Sequence, residues 1–366
     1  DVAFEMVERY AREIVPSFSA SAYFGFGIRI SRWLSRLLYR VKISTADVDQ
    51  LSNLDSEAAV VFVMNHRSNM DYVLVTWLVA ERSALSYAVG EWARLWPLSM
   101  LIRSMGAFYI RRRSRNALYR KVLARYVQMA TKGGVTQAVF PEGGLSLDGR
   151  LAPPKLGFLN YIVSDFDPKG RDIVFIPVAL NYDRVLEDRV LMAADKAGVR
   201  RFRASLPKVA RFAILHIGKK MRGTFKRFGT AAVSFGTPLS LAAFAEGENG
   251  ELTKPVAIEL RKRIADVVPV LPVPLVATVL EDAPDGLTRA ELIENTSTRI
   301  AQLEGIGAHL HLPDKDAEAA VDAGLQVLSM RHLVQDTGEK IKIVDTERAT
   351  IAFYANSIRH LVATQH

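Results

Sequence analysis

Short apolar segments alternate with segments of helical periodicity from residue 57 to about residue 240, and this order restricts the fold more than any other feature. The predicted strands are 58–64, 85–89, 107–111, 136–141, 173–180 and 231–235. The predicted helices are 69–81, 92–104, 115–131 and 156–164. Short, continuous apolar runs with β-branched residues are typical of strands buried on both faces. The alternation predicts an α/β domain with a mostly parallel central sheet flanked by helices.

One of these strands leads into a histidine that is followed, five residues on, by a carboxylate. The apolar run 58–64 continues directly into NHRSNMD (65–71), whose serine and asparagine are typical helix N-cap residues. At such a strand-to-helix corner, Asp71 can accept a hydrogen bond from one ring nitrogen of His66 and leave the other nitrogen as a base. The pattern indicates proton transfer from a substrate hydroxyl, although a lone H-x4-D occurs by chance in many chains.

Two later strands also end in residues suited to ligand binding. Arg111 and Arg112 follow an apolar strand, and guanidinium groups suit bidentate phosphate binding, although a solvated charged edge is the commoner interpretation. Glu142 comes at the carboxyl end of another strand, where ligands bind in open α/β sheets. The next residues, Gly143 and Gly144, allow the backbone to approach a ligand closely.

The N-terminal segment contains a basic amphipathic pattern. Arginines recur at spacings of three and four in residues 20–41, and apolar residues cover much of the remaining surface. This pattern predicts a helix that lies in a membrane interface, and the alternative is a surface helix packed on its own domain. The arginines on the predicted stripe are Arg29, Arg32, Arg36 and Arg40.

The formal net charge of +9 is unevenly distributed along the chain. Residues 281–366 contain 8 basic and 14 acidic residues, whereas the first 280 residues contain 40 basic and 25 acidic ones. A cationic body favours an anionic partner, such as membrane phosphates, an acidic carrier protein or an acyl-nucleotide thioester. We expect three parts: N-terminal amphipathic helices (1–50), a catalytic domain (51–262) and a mainly helical acidic domain (263–366).

Within the acidic part, the sequence predicts several local structures. Three prolines argue against a helix through most of Val267–Leu280. Thr288 begins a capping box, residues 317–334 form a helix, and Lys340–Val344 is one arm of a hairpin.

Composition excludes some chemistries and restricts others. The chain has no cysteine, so disulfides, thiolate catalysis and cysteine-bound metals are excluded. The histidine spacings match no familiar metal motif, so we expect no metal and no cofactor. No apolar run reaches the roughly 18 residues of a spanning helix, and the N-terminus shows no secretory signal pattern.

A second basic segment lies at residues 198–228, with ten lysines or arginines, interleaved phenylalanines and no acid. It is either a solvated helical face or a docking surface for acidic headgroups or a carrier protein. Nucleic-acid binding is the weaker interpretation, because the segment contains no recognised nucleic-acid motif.

Taken in order, four blocks resemble those of the glycerolipid acyltransferase family. They are NHRSNMD (65–71), GAFYIRR (106–112), FPEGGLS (140–146) and IPVAL (176–180). More closely, the blocks and the stretch FYANSIRHL (353–361) look like bacterial glycerol-3-phosphate 1-O-acyltransferase. The resemblance implies the glycerolipid acyltransferase fold and acyl transfer from acyl-coenzyme A or acyl-carrier protein to glycerol 3-phosphate.

The same resemblance implies a role for each matching residue. His66 is the general base, Asp71 orients it, and Pro177 lies on the acyl-donor side. Residues on the acceptor and phosphate side are Arg67, Ser68, Arg111, Arg112, Glu142, Gly143, Gly144, Ser146 and Lys155. Backbone N–H groups near Gly143 and Gly144 are candidate donors to the oxyanion.

Two departures from the family pattern bear on the acceptor. Relatives commonly carry arginine where this chain has Leu145 and Leu147, so two cations are missing beside the acceptor site. Asn65 is more typical of relatives that acylate lysophosphatidic acid, whereas Arg67 is typical of those that use glycerol 3-phosphate. The sequence therefore leaves two acceptors open, with a non-catalytic lipid-binding protein as a third possibility. We expect a peripheral or monotopic protein on the cytoplasmic face of the inner membrane.

Overall fold

The computed structural model describes residues 2–16, 24–25, 27–43, 55–79, 86–89, 107–109, 116–198, 227–248, 250–314 and 316–362. Some predictions fall on other residues and therefore lie outside the described part of the chain. These are the helix at 92–104, the basic residues Arg111 and Arg112, and almost all of the basic segment 198–228.

Eight strands of the described chain form one sheet around which the protein is organised. In chain order they are β1 (Arg40–Ile43), β2 (Ala59–Met64), β3 (Ser86–Val89), β4 (Ala107–Tyr109), β5 (Gln137–Val139), β6 (Ile173–Tyr182), β7 (Thr230–Phe235) and β8 (Leu239–Ser240). Their order across the sheet is β1-β7-β6-β2-β5-β3-β4, with β8 also beside β6. The pairs β6–β7 and β6–β8 are antiparallel, and the other pairs are parallel. The predicted α/β class and mostly parallel sheet are confirmed.

Helices flank this sheet and make up most of the C-terminal region. They are α1 (Val2–Ile14), α2 (Ile28–Leu38), α3 (Met70–Val79), α4 (Ala117–Lys132), α5 (Leu156–Val163), α6 (Asp188–Lys196), α7 (Leu241–Glu246), α8 (Thr253–Asp266), α9 (Pro272–Glu281), α10 (Arg289–Gly305), α11 (Ala317–Met330), α12 (Arg348–Ala355) and α13 (Arg359–Val362). A hairpin of β9 (Val334–Asp336) and β10 (Ile341–Ile343) lies between α11 and α12. None of the described helices is both long enough and apolar enough to span a bilayer.

The position of β2 explains why its sequence is continuously apolar. It lies between β5 and β6, so both of its edges are paired and both of its faces are covered. Five of its six residues are buried, and β-branched valines make up half of the strand. Strands in this position have no solvent face and so carry no polar alternation. The central location places the end of β2, and His66 with it, well inside the domain.

Pro177 lies within the central strand β6 rather than at an edge of the sheet. The sequence offers an edge, a bulge or a strand end for a proline at this position. Gly236 N donates to Pro177 O, and a residue's N and O point to the same side of an extended strand. The missing N–H therefore faces the connection 236–238 between β7 and β8, where the ladder is interrupted. β6 tolerates its proline because no strand pairs there.

The predicted N-terminal helix is too long at its C-terminal end. Within the described residues α2 stops at Leu38, and Tyr39 adopts an extended conformation with φ −130° and ψ 159°. Arg40 begins β1, which pairs in parallel with β7, so Arg40 is wrong as a member of the helical stripe. Tyr39 explains the change, because its buried hydroxyl donates to Arg184 O at 2.6 Å and holds the chain against the sheet.

The prediction that prolines exclude a helix near residue 270 is also wrong. Helix α9 begins at Pro272 and includes Pro274, and almost all of its residues are buried. Prolines are tolerated in the first turn because the N–H groups there have no partner within the helix. One such group, Val273 N, donates to Asp183 Oδ1 at 2.8 Å. The predicted capping box at Thr288 is confirmed, with Glu291 as its second member.

The acidic C-terminal region shares its core with the sheet. One buried cluster contains Phe62 and Ile176 of the sheet together with Val276 and Phe353 of the C-terminal helices. β1 likewise joins the sheet from the N-terminal part of the chain. The division at residues 50 and 262 stays a prediction.

Asp183 provides a test of how the sheet holds the C-terminal region. Its two carboxylate oxygens accept from Val273 N and from Thr230 N, at 2.8 and 2.7 Å, and the side chain is buried. Asp183→Ala leaves two buried N–H groups unpaired, and we expect the free energy of unfolding to fall by about 2–4 kcal/mol. Chemical denaturation measures this loss. Asp285→Ala removes an exposed carboxylate and is the control; an equal, small effect of both changes would contradict the anchoring role.

Candidate active site

His66 lies just beyond the carboxyl end of β2, and Asn65 fixes the strand end from which it projects. The Asn65 amide donates from Nδ2 to Leu180 O at 3.0 Å and accepts at Oδ1 from Leu180 N at 2.8 Å. A side-chain amide carries the same donor and acceptor as a peptide group. Asn65 therefore extends the pairing of β2 with β6 by one step, and the histidine begins at a fixed point.

Asp71 is the residue around which the corner is organised. Its Oδ2 lies 2.9 Å from His66 Nδ1 and also accepts from the backbone N–H groups of Arg67 at 2.7 Å and Ser68 at 3.0 Å. Its Oδ1 accepts from the hydroxyl of Tyr182 at 2.5 Å. At this buried position the hydrogen bonds take the place of the water that a carboxylate otherwise needs. Because a carboxylate can only accept, the hydrogen between His66 Nδ1 and Asp71 Oδ2 belongs to Nδ1. The other ring nitrogen of His66, Nε2, therefore carries the lone pair.

The imidazole of His66 is held between aromatic rings. It stacks on Phe140 with ring centroids 4.2 Å apart, and Tyr72 meets it edge-on at 5.3 Å. The histidine is buried, with 2% of its surface exposed. Burial excludes water from the ring, and the stacked rings prevent it from turning. The sequence-predicted pair of His66 and Asp71 is thus brought together in the orientation that general-base chemistry requires.

The first turn of α3 is held by the predicted cap and by a second carboxylate. Ser68 Oγ accepts from Met70 N at 3.1 Å, which identifies Ser68 as a cap of this turn. The same hydroxyl donates to Glu187 Oε2 at 2.8 Å, and Asn69 N donates to Glu187 Oε1 at 3.2 Å. Burial raises the pKa of Glu187. Ser68 therefore shapes the corner, with its hydroxyl already used within the protein.

Glu142, after β5, joins the histidine corner to the glycine-rich loop. Its Oε1 accepts from His66 N and its Oε2 from Ala152 N, both at 3.3 Å. The residue is buried, and desolvation raises its pKa to about 7, against the hydrogen bonds and the positive charge of Arg67, which lower it. Glu142 therefore bridges two backbone segments and changes charge near neutral pH.

The loop after Glu142 is a tight structure with few free polar groups. Gly143 has φ +68°, and a Cβ there would lie 2.9 Å from Cδ of the exposed Lys155, whose stem covers the glycine. Gly143 N donates to Phe140 O at 3.0 Å, so this N–H, one of the predicted oxyanion donors, is already used. Ser146 is buried: its N donates to His66 O, and its hydroxyl donates to Arg150 O. Gly144 is half-buried in the same turn.

Arg67 is buried against the C-terminal helix α12. Its Nη1 donates to Gly149 O at 2.5 Å, and its guanidinium lies 4.9 Å from the ring centroid of Phe353. Nε and Nη2 are buried without a hydrogen-bond partner among the described residues. Desolvation lowers the pKa of this guanidinium, while Asp71 and Glu142 are among the charges that raise it. Arg67 thus places a buried positive charge near Asp71 and Glu142.

Gly149 shows how closely the C-terminal helix approaches this loop. It has φ +90°, and a Cβ would lie 1.9 Å from Phe353 O. Nearby, Asn356 Nδ2 donates to Asp148 O at 2.9 Å. The stretch FYANS (353–357) therefore packs against the backbone of the predicted acceptor loop, and the family resemblance at both ends of the chain belongs to one site.

The leucines that replace the expected arginines have a structural explanation. Leu145 and Leu147 are half-buried and pack against the apolar cluster that includes Phe353. Lys155 and Arg150 are exposed cations on the same loop. Arg111 and Arg112, predicted for phosphate binding, lie outside the described residues.

Sequence reasoning missed three residues of this site. Tyr182, Glu187 and Phe353 contact its members but lie more than a hundred residues from the histidine, and no local spacing connects them to it. A signal exists for Tyr182, because it ends β6, and carboxyl ends of parallel strands meet at one edge of a sheet. The predicted strand ends at residue 180, two residues before Tyr182, so the sequence pattern does not place Tyr182 at the end of this strand. No group of metal-binding side chains is found among the described residues.

A buried histidine–carboxylate pair at the carboxyl edge of a mainly parallel sheet is an arrangement that can move a proton during a group transfer. Two family models match this chain: "Acyltransferase" over residues 45–181, and "Glycerol-3-phosphate acyltransferase C-terminal region" over residues 214–365. Over both matched regions the chain is similar to the glycerolipid acyltransferase family.

Its curated relatives include proteins named glycerol-3-phosphate acyltransferase. Those of Pseudomonas fluorescens SBW25 and Aeromonas hydrophila are 28% and 29% identical, over 97% of this chain and 44% and 45% of their own. The chain thus spans less than half the length of these relatives. The 1-acyl-sn-glycerophosphate acyltransferase structure of Thermotoga maritima matches 66% of this chain and 76% of its own, with 21% identity and a TM-score of 0.39.

The raised pKa of Glu142 predicts a pH dependence of stability. The native pKa of about 7 lies above the ordinary value of 4.5, so the native state binds the proton more tightly than the unfolded state. The contribution of Glu142 to the free energy of unfolding is present below about pH 4.5. It is lost as the pH rises to about 7, a change on the order of 3 kcal/mol.

Glu142→Gln removes this titration, so we expect the unfolding free energy of the wild type minus that of the variant to fall by about 3 kcal/mol as the pH rises from about 4.5 to 7. Denaturant titrations at several pH values measure it. Asp183, whose pKa burial raises to about 6, stays in both proteins and cancels in the comparison. A difference that is constant across this range would contradict the assignment.

Proposed function

We propose that this chain transfers a fatty acyl group from an acyl thioester to the sn-1 hydroxyl of glycerol 3-phosphate, giving lysophosphatidic acid in the first step of phospholipid synthesis. The observation that carries the proposal is the contact of His66 Nδ1 with Asp71 Oδ2 at 2.9 Å, at the carboxyl end of β2. The names of the relatives support the choice of substrates. The enzyme is a glycerol-3-phosphate 1-O-acyltransferase.

Proton transfer is the work of the histidine. Nε2 removes the proton of the acceptor hydroxyl while the oxygen attacks the thioester carbonyl carbon. The imidazolium that forms is stabilised by the adjacent Asp71 carboxylate. When the tetrahedral intermediate collapses, the C–S bond breaks, and Nε2 returns the proton to the leaving thiolate. The products are the ester and a free thiol, and the reaction needs no cofactor.

Binding of the acceptor relies on the cations of the second block and of the loop that follows the third block. We assign the phosphate to Arg111 and Arg112, together with Lys155 and Arg150, which are exposed cations of the loop after β5. Arg67 has an indirect role in this scheme, because its buried positive charge offsets the negative charges of Asp71 and Glu142. Pro177, within β6, lies on the acyl-donor side in this scheme. The donor is acyl-coenzyme A or acyl-carrier protein.

Replacement of the histidine tests the proposal. General-base catalysis is typically worth about 10²–10⁴-fold, so we expect His66→Ala to lower thiol release from an acyl thioester by about that factor. His360→Ala is the control, since His360 is a half-buried histidine whose Nε2 lies 2.9 Å from Ala265 O. Circular dichroism checks the fold of both variants. A folded His66→Ala protein with a near-normal rate would refute the role of the ring.

The sn-2 acylation of lysophosphatidic acid is the alternative reaction, and Asn65 was its sequence signal. In the structure both functional groups of Asn65 are bonded to the backbone of Leu180, so this residue has a structural role that either enzyme needs. Assaying two donors against two acceptors, with lipid vesicles present, separates the reactions. Absence of thiol release with every pair would favour a non-catalytic lipid-binding protein.

We also propose that the protein binds the anionic cytoplasmic face of the inner membrane through its N-terminal helices. In α2 the serines Ser31 and Ser35 face the protein, whereas Ile30 and Trp33 are 40% and 50% exposed. Exposed arginines lie on the same helix, at positions 29 and 36. Exposed apolar side chains flanked by cations suit a lipid interface. Nucleic acid is not a partner in this proposal.

Trp33 gives a specific test of membrane binding. We expect Trp33→Glu to weaken sedimentation with phosphatidylglycerol vesicles by at least about tenfold, because an exposed indole that enters the lipid interface is replaced by a charge that anionic lipid repels. Met129→Glu, which changes an equally exposed apolar residue on α4, is the control. If both variants sediment like the wild type, α2 is not the membrane contact.

A further inference from the structure

The hydroxyl of Tyr182 is the one side-chain donor to Oδ1 of Asp71 within the described part of the chain. The O–O distance is 2.5 Å, and both side chains are fully buried. The other carboxylate oxygen, Oδ2, is the one that faces His66 Nδ1 and the two backbone N–H groups. The two oxygens therefore have separate partners, and the plane of the carboxylate is fixed from both sides.

We infer that Tyr182 is a positioning residue for the reaction, which acts on His66 through Asp71; this inference rests on the proposed function. The hydroxyl prevents the carboxylate from rotating about its Cβ–Cγ bond, so that Oδ2 stays opposite Nδ1. It also takes up part of the negative charge, which is otherwise concentrated on Oδ2. Tyr182 touches no reacting atom and is not itself a catalytic residue.

The tyrosine can only be the donor in this contact. Its pKa is raised well above the ordinary value, first by burial and then by the negative charge of Asp71, so the hydroxyl keeps its proton. Charge-assisted O–H···O⁻ bonds of this length are among the stronger hydrogen bonds in proteins.

A second tyrosine supports the ring of Tyr182. The ring of Tyr39 packs against it with centroids 5.4 Å apart, and the Tyr39 hydroxyl donates to Arg184 O. Tyr39 is as deeply buried as Tyr182, but its hydroxyl bonds to a carbonyl instead of the Asp71 carboxylate. It is therefore a matched control: each Tyr→Phe change removes one buried hydroxyl and keeps the ring.

Other charged and titratable groups act on this pair from the elements packed around it. Arg67 adds positive charge from the corner after β2, and Glu142 adds a carboxyl from the loop after β5. Glu187 stands before α6, and Tyr354 lies on α12. All of these groups are unchanged in both tyrosine variants, so a difference between the variants reports the hydroxyl on Asp71.

The direction of the effect follows from the charge on Asp71. Without the Tyr182 hydroxyl, the carboxylate holds a protonated His66 more strongly, and the base is free only at higher pH. The acid limb of the pH–rate profile should therefore move upward in Tyr182→Phe. The less restrained Asp71 carboxylate should also lower kcat, while KM for either substrate changes little because no substrate contact is lost.

The experiment compares Tyr182→Phe with Tyr39→Phe in the full chain. We expect Tyr182→Phe to lose the more unfolding free energy, because its hydroxyl bonds to a charged group and that of Tyr39 bonds to a neutral carbonyl. Only Tyr182→Phe should also lose about 10- to 100-fold in kcat and shift its acid limb upward. Equal kcat values and equal pH profiles for the two variants would overturn the inference, since the hydroxyl would then have only a structural role.

A measurement that needs no turnover separates this inference from the proposed function. The Nδ1 proton of His66 should give a downfield proton NMR signal in the wild type, absent in His66→Ala. We expect this signal to move or broaden in Tyr182→Phe and to stay unchanged in Tyr39→Phe. An unchanged signal in both variants overturns the positioning role, even if acyl transfer is confirmed. A specific change in an inactive protein supports the positioning role while the proposed function fails.

Discussion

The carboxylate of Asp71 is the constraint on which the rest of the site depends. A buried charge is costly unless hydrogen bonds replace its water, and Asp71 obtains these from its own helix turn, from His66 and from Tyr182. The turn supplies backbone N–H groups and β6 supplies a hydroxyl. Strand, turn and sheet must therefore all be in place before the carboxylate can exist in its buried position.

Other buried charged side chains around Asp71 also lie near groups of opposite charge. Glu142 is neutralised in part by Arg67, whose guanidinium in turn rests on Phe353 of the C-terminal helix α12. Farther out, Arg331 pairs with Asp188 at 2.5 Å, and Tyr354 donates to the same carboxylate. These contacts join the acidic C-terminal region to the catalytic corner. The charge imbalance along the sequence is therefore no barrier to packing, because the two regions meet through buried apolar and paired groups.

Some predictions succeeded because their determinants are local. The run before His66 reads as a buried strand, and Asp71 falls within reach because a helix must start at the N-capping residue Ser68. Others failed because a distant partner outweighed a local pattern. Tyr39 ends a helix early by bonding to Arg184 O, and Pro272 begins a helix that Asp183 holds through the next residue. In each case the deciding contact spans many residues of sequence.

By itself, the sequence determined six of the eight strands of the described sheet, the α/β class and the pairing of His66 with Asp71, since each follows from periodicity or from five residues of spacing. It could not determine which distant groups complete the site. Tyr182 meets Asp71, and Phe353 meets Arg67, only when the sheet has formed and the C-terminal helices have packed on it. Such contacts depend on three-dimensional packing of segments far apart in the chain, and no local pattern of residues encodes them.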